Sequence, residues 1–278
     1  MSEQQDQAGA QVAVLGGGVM GETLLAALLA SGWSSQQVEV TEQSVARADD
    51  LAGRYAVRTG ASNANAAARA DVVLIAVKPQ VVGSVLDEIA PALRGGTVVV
   101  SVAAGLPLSF YERRLPTGTP VVRVMPNTPA VVGKGASAIA PGSAASEGHL
   151  VLVEKILSTT GLVVRVAEKD LDAVTAISGS GPAYAFYLID AMAEAGVLLG
   201  LPRDLATRLA VATVEGSAAL AAQSGDHPVV LRERVSSPGG TTVAAVRELD
   251  AHGVRAGVVA AAQAAADRSR ELGSQYAG

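Results

Sequence analysis

The amino-terminal part of this 278-residue chain alternates short, largely apolar runs rich in β-branched residues with segments of helical composition. A run that is apolar at most or all positions is typical of a parallel strand covered on both faces of its sheet. The strand-like runs lie at residues 12–15, 38–40, 72–77, 98–102, 121–124 and 162–166, and the helical segments at 22–31, 44–53 and 81–93. This alternation predicts right-handed βαβ units and therefore an α/β fold with a doubly wound sheet.

After residue 168 the pattern changes, because strand-like runs stop and alanine-rich helical stretches follow. The stretches lie at residues 183–199, 204–224, 241–251 and 255–272. We predict one domain over residues 1–168, of which 1–10 form a disordered tail, and an all-α domain over residues 169–278. Apolar faces such as 258–266 favour burial against a second copy of the chain, and packing against the chain's own first domain is the alternative.

Composition excludes several classes of function. A net charge of -5 disfavours binding to a nucleic-acid backbone, which needs clustered Lys and Arg. The 0 cysteines exclude thiol catalysis, Cys-ligated zinc and disulfides, and we predict no metal site. The first residues lack the basic and apolar regions of a signal peptide, and Asp190 and Glu194 interrupt the apolar run at 183–201. We therefore expect a cytoplasmic protein that does not cross a membrane.

The segment Gly16-Gly17-Gly18-Val19-Met20-Gly21 follows the first predicted strand and precedes the first predicted helix. In this context the pattern G-x-G-x-x-G predicts a dinucleotide-binding loop of the Rossmann type. Gly16 would permit the tight turn, Gly18 the approach of a pyrophosphate, and Gly21 close packing of helix on strand. The helix amino terminus would direct N–H groups at the phosphates. A glycine-rich turn without a ligand is the alternative.

The end of the second predicted strand should contact the adenosine ribose of a bound dinucleotide. Glu42 lies there, and its carboxylate would accept a hydrogen bond from a ribose 2′-hydroxyl and repel a 2′-phosphate. Ser44 and Arg47 are close enough in sequence to bind a 2′-phosphate instead. The residues leave the choice between NADH and NADPH open.

The segment Ala76-Val77-Lys78-Pro79 ends the third predicted strand. Ligands of open α/β sheets bind at the carboxyl ends of the strands. Lys78 is therefore a candidate contact to ribose or phosphate, and a solvated surface lysine is the alternative.

Two later segments combine glycine, proline and small hydroxyl residues just before predicted helices. They are Ser178-Gly179-Ser180-Gly181-Pro182-Ala183-Tyr184 and Val235-Ser236-Ser237-Pro238-Gly239-Gly240-Thr241-Thr242. Ser and Thr cap helices, so ordinary capping is one interpretation. The paired glycines and threonines of the second segment would also form a nest of N–H groups suited to a small carboxylate.

Five segments, in this order, resemble the pyrroline-5-carboxylate reductase family. They are the glycine loop, residues 76–79, Met125-Pro126-Asn127-Thr128-Pro129, residues 178–184, and the stretch 231–250 around the second hydroxyl-rich segment. The resemblance covers nearly the whole chain. It implies a Rossmann-type domain followed by an all-α dimerisation domain, and assembly as a homodimer or a ring of dimers. It also implies hydride transfer from NADPH, with NADH possible, to the cyclic imine pyrroline-5-carboxylate, which gives L-proline.

The resemblance also implies roles for single residues. It adds cofactor contacts from Asn63, Ala76, Val77 and Lys78 to those of the glycine loop at Gly16, Gly18, Val19, Met20 and Gly21. It places the carboxylate-binding loop of the substrate site at Ser237, Gly239, Gly240 and Thr241. The hydroxyl that hydrogen-bonds the substrate ring nitrogen falls on Thr242, the candidate catalytic residue. Glu42 departs from the small hydroxyl residues that many relatives carry near that position.

An imine carbon is already electrophilic, so its reduction needs close alignment more than a strong protein acid. A site of backbone N–H groups and threonines fits that requirement. A β-hydroxyacid dehydrogenase is the first rival, but it needs a base near the reacting hydroxyl. No lysine follows Lys169, which leaves only His227 and His252. A dinucleotide-sensing protein without catalysis is the second rival, and it would need no substrate nest.

Overall fold

The computed structural model describes residues 10–276, so the predicted tail lies outside the described residues except for Ala10. The chain forms two compact units. The first comprises the chain through Gly179 together with the carboxyl-terminal residues from Ala266, and the second comprises Ser180–Ala265. The domain boundary after residue 168 stays a prediction. The return of the carboxyl-terminal residues to the first unit was not expected from the sequence.

The first unit contains an eight-stranded sheet within the described part of the chain. The strands are β1 (Val12–Leu15), β2 (Val38–Thr41), β3 (Arg58–Gly60), β4 (Val72–Ile75), β5 (Val98–Ser101), β6 (Val121–Met125), β7 (Gly135–Pro141) and β8 (Gly161–Arg165). Their order in the sheet is β3-β2-β1-β4-β5-β6-β7-β8. The crossover beside β1, where the chain leaves toward β2 and returns at β4, is the reversal of strand order that marks a doubly wound sheet. The predicted fold class is therefore confirmed.

Two strands were missed, and the third predicted strand was two residues too long. β3 and β7 have no counterpart among the predicted runs, and β7 pairs antiparallel with β6. The third predicted strand ends at Ile75 rather than Val77. Pro79 begins a helix there, and a proline at a first helical turn fixes the backbone angle without losing a needed donor.

Among the described residues, seven α-helices lie wholly within the first unit and cover the sheet: α1 (Val19–Ala30), α2 (Val45–Tyr55), α3 (Asn63–Ala67), α4 (Pro79–Ile89), α5 (Leu108–Glu112), α6 (Glu147–Leu157) and α7 (Leu171–Val174). Alternate residues of β1 enter two separate cores. Val12 and Val14 pack with α1 and α6, whereas Ala13 and Leu15 pack with α4 and α5. Each fully buried Val or Leu side chain contributes about 1.5–3 kcal/mol to folding. Burial on both faces explains why every position of this strand is apolar.

The second unit is helical. Its elements are α8 (Gly181–Leu198), α9 (Arg203–Ser224), α10 (Pro228–Arg234), α11 (Thr241–Ala251) and the first part of α12 (Val254–Ser274). Pro182 lies in the first turn of α8, where proline is tolerated. The buried residues of α8 and α9 are the alanines Ala193, Ala206 and Ala210, while many larger apolar side chains are exposed. By length and composition alone, α9 is long and apolar enough to cross a membrane. Apolar core helices of soluble proteins meet the same two criteria.

Candidate functional site

The glycine loop is built as its motif requires. Gly16 has a φ of +102°, and a side chain there would meet the carbonyl oxygen of Ala76 at 2.9 Å. A Cβ on Gly21 would overlap the carbonyl oxygen of Gly16, so only glycine lets α1 start this close to β1. Gly18 is the N-cap of α1, makes no side-chain cap, and has open space where a Cβ would lie. The amino terminus of α1 therefore presents N–H groups to any ligand above the loop.

A cavity of about 340 Å³ opens beside this loop, at the carboxyl ends of β1, β2 and β4. Ten residues line it: Gly16, Thr41, Glu42, Gln43, Asn63, Val77, Val81, Ser84, Val85 and Glu88. The predicted cofactor residues Gly16, Asn63 and Val77 are thus brought together. This is the edge of the sheet at which α/β proteins bind dinucleotides.

Asn63 is buried and held in one orientation in this cavity. Its Oδ1 accepts a hydrogen bond from Thr41 Oγ1 at 2.6 Å, and its Nδ2 donates to Glu88 Oε2 at 2.8 Å. Glu88 Oε1 also accepts from the backbone N–H of Ala64 at 3.1 Å. The sequence analysis missed Thr41 and Glu88, because Glu88 reaches Asn63 from α4 and no local pattern marks such a contact.

Glu42 lies immediately after β2, and both of its carboxylate oxygens accept backbone hydrogen bonds. Oε2 accepts from the N–H of Gly17 at 3.1 Å, and Oε1 from the N–H of Ser44 at 2.9 Å. The carboxylate is therefore tied to the glycine loop and does not point freely into solvent.

Arg47 and Ser44, the alternative contacts to a 2′-phosphate, already have partners. Arg47 donates to the carbonyl of Gly17 at 2.9 Å, to Asp50 at 2.7 Å and to Glu22. The Ser44 hydroxyl caps α2 by accepting from the N–H of Arg47.

Glu22, in the first turn of α1, has two arginines and a tyrosine as hydrogen-bond donors. It accepts hydrogen bonds from Arg47 and Arg54, and from Tyr55 at 2.8 Å. The hydrogen bond from Arg47 is the main reason that the pKa of Glu22 falls to about 2, with Tyr55 and Arg54 adding to the effect. Glu22 is therefore ionised at neutral pH, and it keeps Arg47 turned toward α1.

Lys78 is the N-cap of α4 and is exposed. Val77 lines the cavity, and Ala76 contacts the glycine loop through its carbonyl group. Lys78 is not among the residues that line the cavity. Its contact with a bound dinucleotide stays a prediction.

Two of the motif segments meet within the first unit. Asn127 Nδ2 donates to the carbonyl oxygen of Ser178 at 3.1 Å, and its Oδ1 accepts from the N–H of Ala136 at 2.8 Å. A Cβ on Gly179 would meet Met125 Cε at 2.5 Å. A stretch of π-helix at Thr175–Gly179 precedes α8. Asn127 thus ties the segment before α8 to the end of the sheet.

In the second unit the predicted substrate loop lies between α10 and α11. Gly239 has a φ of +70°, and the N–H of Gly240 donates to the carbonyl of Ser237 at 2.9 Å. Gly240 is the N-cap of α11, and no side chain caps this helix. Ordinary capping by Ser or Thr is therefore not what this segment does, and the first N–H groups of α11 stay open to a ligand. The meeting of this loop with the cavity of the first unit stays a prediction.

The glycine loop, the open end of α1 and the cavity at the strand ends define the first unit as a dinucleotide-binding domain of the Rossmann type. The chain is similar to one family of enzymes over nearly its whole length. Residues 168–272 match the family model described as pyrroline-5-carboxylate reductase dimerisation, and residues 11–105 match the model described as NADP oxidoreductase, coenzyme F420-dependent. The chain belongs to the pyrroline-5-carboxylate reductase family and carries its dimerisation domain.

Individual relatives match from end to end. The chain is 49% identical to the pyrroline-5-carboxylate reductase of Corynebacterium melassecola, a match that covers 94% of this chain and 98% of that protein. It is 42% identical to the enzyme of Synechocystis sp., with 95% and 99% covered. The reductase structure from Coxiella burnetii superimposes with a TM-score of 0.90 at 34% identity, covering 95% of this chain and 98% of that one. The Plasmodium falciparum structure, which has NADP bound, gives 0.85 at 29% identity, with 95% and 98% covered.

Proposed function

We propose that this chain reduces pyrroline-5-carboxylate to L-proline with NAD(P)H, the final step of proline biosynthesis. The chain is an NAD(P)H-dependent oxidoreductase of this family. The observation that carries the proposal is the 49% identity over 94% of the chain. The two family models also include both loops, since one matches residues 11–105, with the glycine loop, and the other residues 168–272, with the predicted substrate loop.

The first unit fits a nicotinamide dinucleotide. Gly18 leaves open space above an uncapped helix, which suits a pyrophosphate at the amino terminus of α1. Gly16, Gly18, Val19, Met20 and Gly21 would hold the phosphates. The ribose and nicotinamide side would contact Asn63, Ala76, Val77 and Lys78. When bound, the reduced nicotinamide supplies the hydride.

The substrate loop of the second unit would hold the imine. The open N–H groups at the start of α11, with Ser237, Gly239, Gly240 and Thr241, form a suitable nest for the substrate carboxylate. Thr242 would hydrogen-bond the ring nitrogen and orient the imine carbon. Because that carbon is already electrophilic, orientation supplies most of what the reaction needs.

Assembly and location complete the proposal. The dimerisation domain supports a homodimer, and a ring of dimers is the further assembly that we propose. We also propose a cytoplasmic location, consistent with a metabolic enzyme.

The rival function, oxidation of a β-hydroxyacid, needs a base, for which His227 and His252 are the candidates. His227 accepts from the N–H of Val229 through Nδ1 at 3.3 Å as the N-cap of α10. His252 Nδ1 lies 2.9 Å from the carbonyl oxygen of Glu248. Both histidines thus have local structural roles, which disfavours this rival.

Cofactor oxidation by the purified protein tests the proposed reaction. We expect turnover with pyrroline-5-carboxylate. Turnover of the six-membered homologue of this imine measures how selective the protein is for ring size. Oxidation of serine or hydroxyisobutyrate without any activity on the imine would favour the dehydrogenase. Tight dinucleotide binding without turnover of any of these compounds would favour a sensor.

Replacement of Thr242 by alanine tests its role. Since Thr242 orients the substrate rather than supplying a strong acid, we expect a loss in kcat/KM of about tenfold, below the range of about 10²–10⁴ typical of a general acid or base. Thr242→Ser should restore most of the activity, and Thr213→Ala, on the exposed face of α9, serves as the matched control. Abolished turnover with intact substrate binding would instead identify Thr242 as a true acid.

A further inference from the structure

The cavity at the end of β2 is where the adenosine ribose of a dinucleotide lies in this fold, and the charges there decide between a 2′-hydroxyl and a 2′-phosphate. We infer that Glu42 makes this chain prefer NADH over NADPH, with Glu88 adding negative charge to the same cavity. The inference rests on the proposed function only in assuming that a nicotinamide dinucleotide binds the glycine loop.

Hydrogen bonds hold the Glu42 carboxylate at the position that distinguishes a ribose 2′-hydroxyl from a 2′-phosphate. Its two oxygens accept from the N–H groups of Gly17 and Ser44, which hold the carboxylate between the glycine loop and the start of α2. Swinging it into solvent would break both hydrogen bonds and remove the partner of the N–H of Gly17, a buried residue. A carboxylate held here accepts from a ribose 2′-hydroxyl and repels a 2′-phosphate.

No cation of the cavity offsets this charge. None of the ten lining residues within the described part of the chain is Lys or Arg. Arg47, the nearest arginine along the chain, donates to Gly17, Asp50 and Glu22 and is not among the residues that line the cavity. Gln43, next to Glu42, donates to the carbonyl of Ala61 at 3.1 Å. A 2′-phosphate would therefore meet a carboxylate and no cationic side chain among the residues that line the cavity.

Glu88 adds a second carboxylate to the lining of the same cavity. It accepts from Asn63 Nδ2 at 2.8 Å and so also fixes the amide that is expected to contact the ribose. Glu88 is thus a positioning residue for Asn63. Two carboxylates in one cavity raise the cost of bringing in an additional phosphate.

Direct binding measurements on the full-length protein, without imine, test the preference. We expect NADH to bind at least about tenfold more tightly than NADPH, equivalent to about 1.4 kcal/mol. Added salt should narrow that difference, because it screens the repulsion of the 2′-phosphate. Tighter binding of NADPH overturns the inference. NADH-selective binding without imine reduction would overturn the proposed reaction and leave the preference intact.

Substitutions at Glu42 distinguish the effect of its charge on cofactor preference from the effect of its shape. Glu42→Gln keeps the shape and removes the charge, so NADPH affinity should rise about tenfold relative to NADH. Glu42→Ser combined with Gln43→Arg should reverse the preference. Asp87→Asn is the matched control, since Asp87 neighbours Glu88 on α4, is exposed and does not line the cavity. Circular dichroism verifies folding, and an unchanged NADH-to-NADPH ratio in Glu42→Gln contradicts the inference.

Discussion

At the scale of single residues, the ionised Glu22 stabilises the fold in a pH-dependent way. Its pKa is about 2 in the folded protein against 4.5 for an unperturbed glutamate, chiefly because Arg47 donates to it. A depressed carboxyl pKa contributes stability that is fully present above about pH 4.5 and is lost as the pH falls toward 2. After allowance for solvent screening, we expect Glu22→Gln to lose about 1–2 kcal/mol of unfolding free energy at pH 7.

Urea unfolding of wild type and Glu22→Gln at several pH values measures this effect. The difference between the two proteins should shrink steadily from pH 5 to pH 3, as the wild-type carboxylate is protonated on unfolding. Glu233→Gln, at an exposed position of α10, is the control for removing a surface charge. A difference that is the same at every pH would show that Glu22 stabilises the protein by packing and not by its charge.

At the scale of elements, the contact between the glycine loop and α1 couples stability to ligand binding. A Cβ on Gly21 would overlap the carbonyl oxygen of Gly16 and lie 3.5 Å from the Cβ of Ala76. Gly21→Ala must therefore push α1 away from β1, and overpacking of this kind costs about 1–3 kcal/mol. We expect a lower urea midpoint together with loss of dinucleotide binding, measured by urea unfolding and fluorescence titration.

Gly148→Ala provides the matched control for Gly21→Ala. Gly148 lies in the first turn of α6, where a Cβ would meet only Ser146 Oγ at 3.8 Å. An alanine in a helix with free space stabilises by about 0.5–1 kcal/mol, so this variant should unfold slightly later and bind normally. Wild-type binding by Gly21→Ala would mean that the loop has a different path from the one described.

Among the elements of the fold, the sequence predicts some strands of the sheet and not others. β1 and β4 are continuous runs of apolar residues, and β5 departs from that pattern only at Ser101. All three are buried at every position, and such runs are visible without a structure. β7 contains Gly135, three alanines and Ser137, a composition closer to a loop than to a strand. Its place beside β6 comes from tertiary pairing, in which Met125 lies opposite Ala138. β3 has only three residues, too few to show a period.

The candidate site also contains parts that the sequence predicts and parts that it does not. The glycine loop could be predicted because its geometry depends on consecutive residues, each with its own steric reason to be glycine. The hydrogen bonds from Thr41 and Glu88 to Asn63 could not, since they join three different elements. The sequence also left open whether Glu42, Ser44 or Arg47 faces the ribose. Only their hydrogen-bond partners in the fold distinguish them.

At the scale of the whole molecule, the helical unit exposes several large apolar side chains, and contiguous exposed apolar patches are typical of interaction surfaces. The exposed fractions on α8 and just after it are 63% for Phe186, 80% for Tyr187, 87% for Leu198 and 86% for Leu199. We expect dimerisation to cover these side chains, because residues 168–272 match the family model for dimerisation. If folding and association are linked in this way, the unfolding temperature must rise with protein concentration.

Phe186→Asp tests that linkage, because it places a charge in the apolar face that we expect a second copy to cover. An unpaired charge buried in an interface costs several kcal/mol, so the variant should elute as a monomer and unfold at a temperature that no longer depends on concentration. Gln223→Asp adds the same charge at an exposed polar position near the end of α9 and should remain a dimer. Light scattering across a dilution series measures the oligomeric state of both variants. A wild-type protein that stays monomeric at every concentration would require another partner for this face, because exposed apolar side chains of this number favour association.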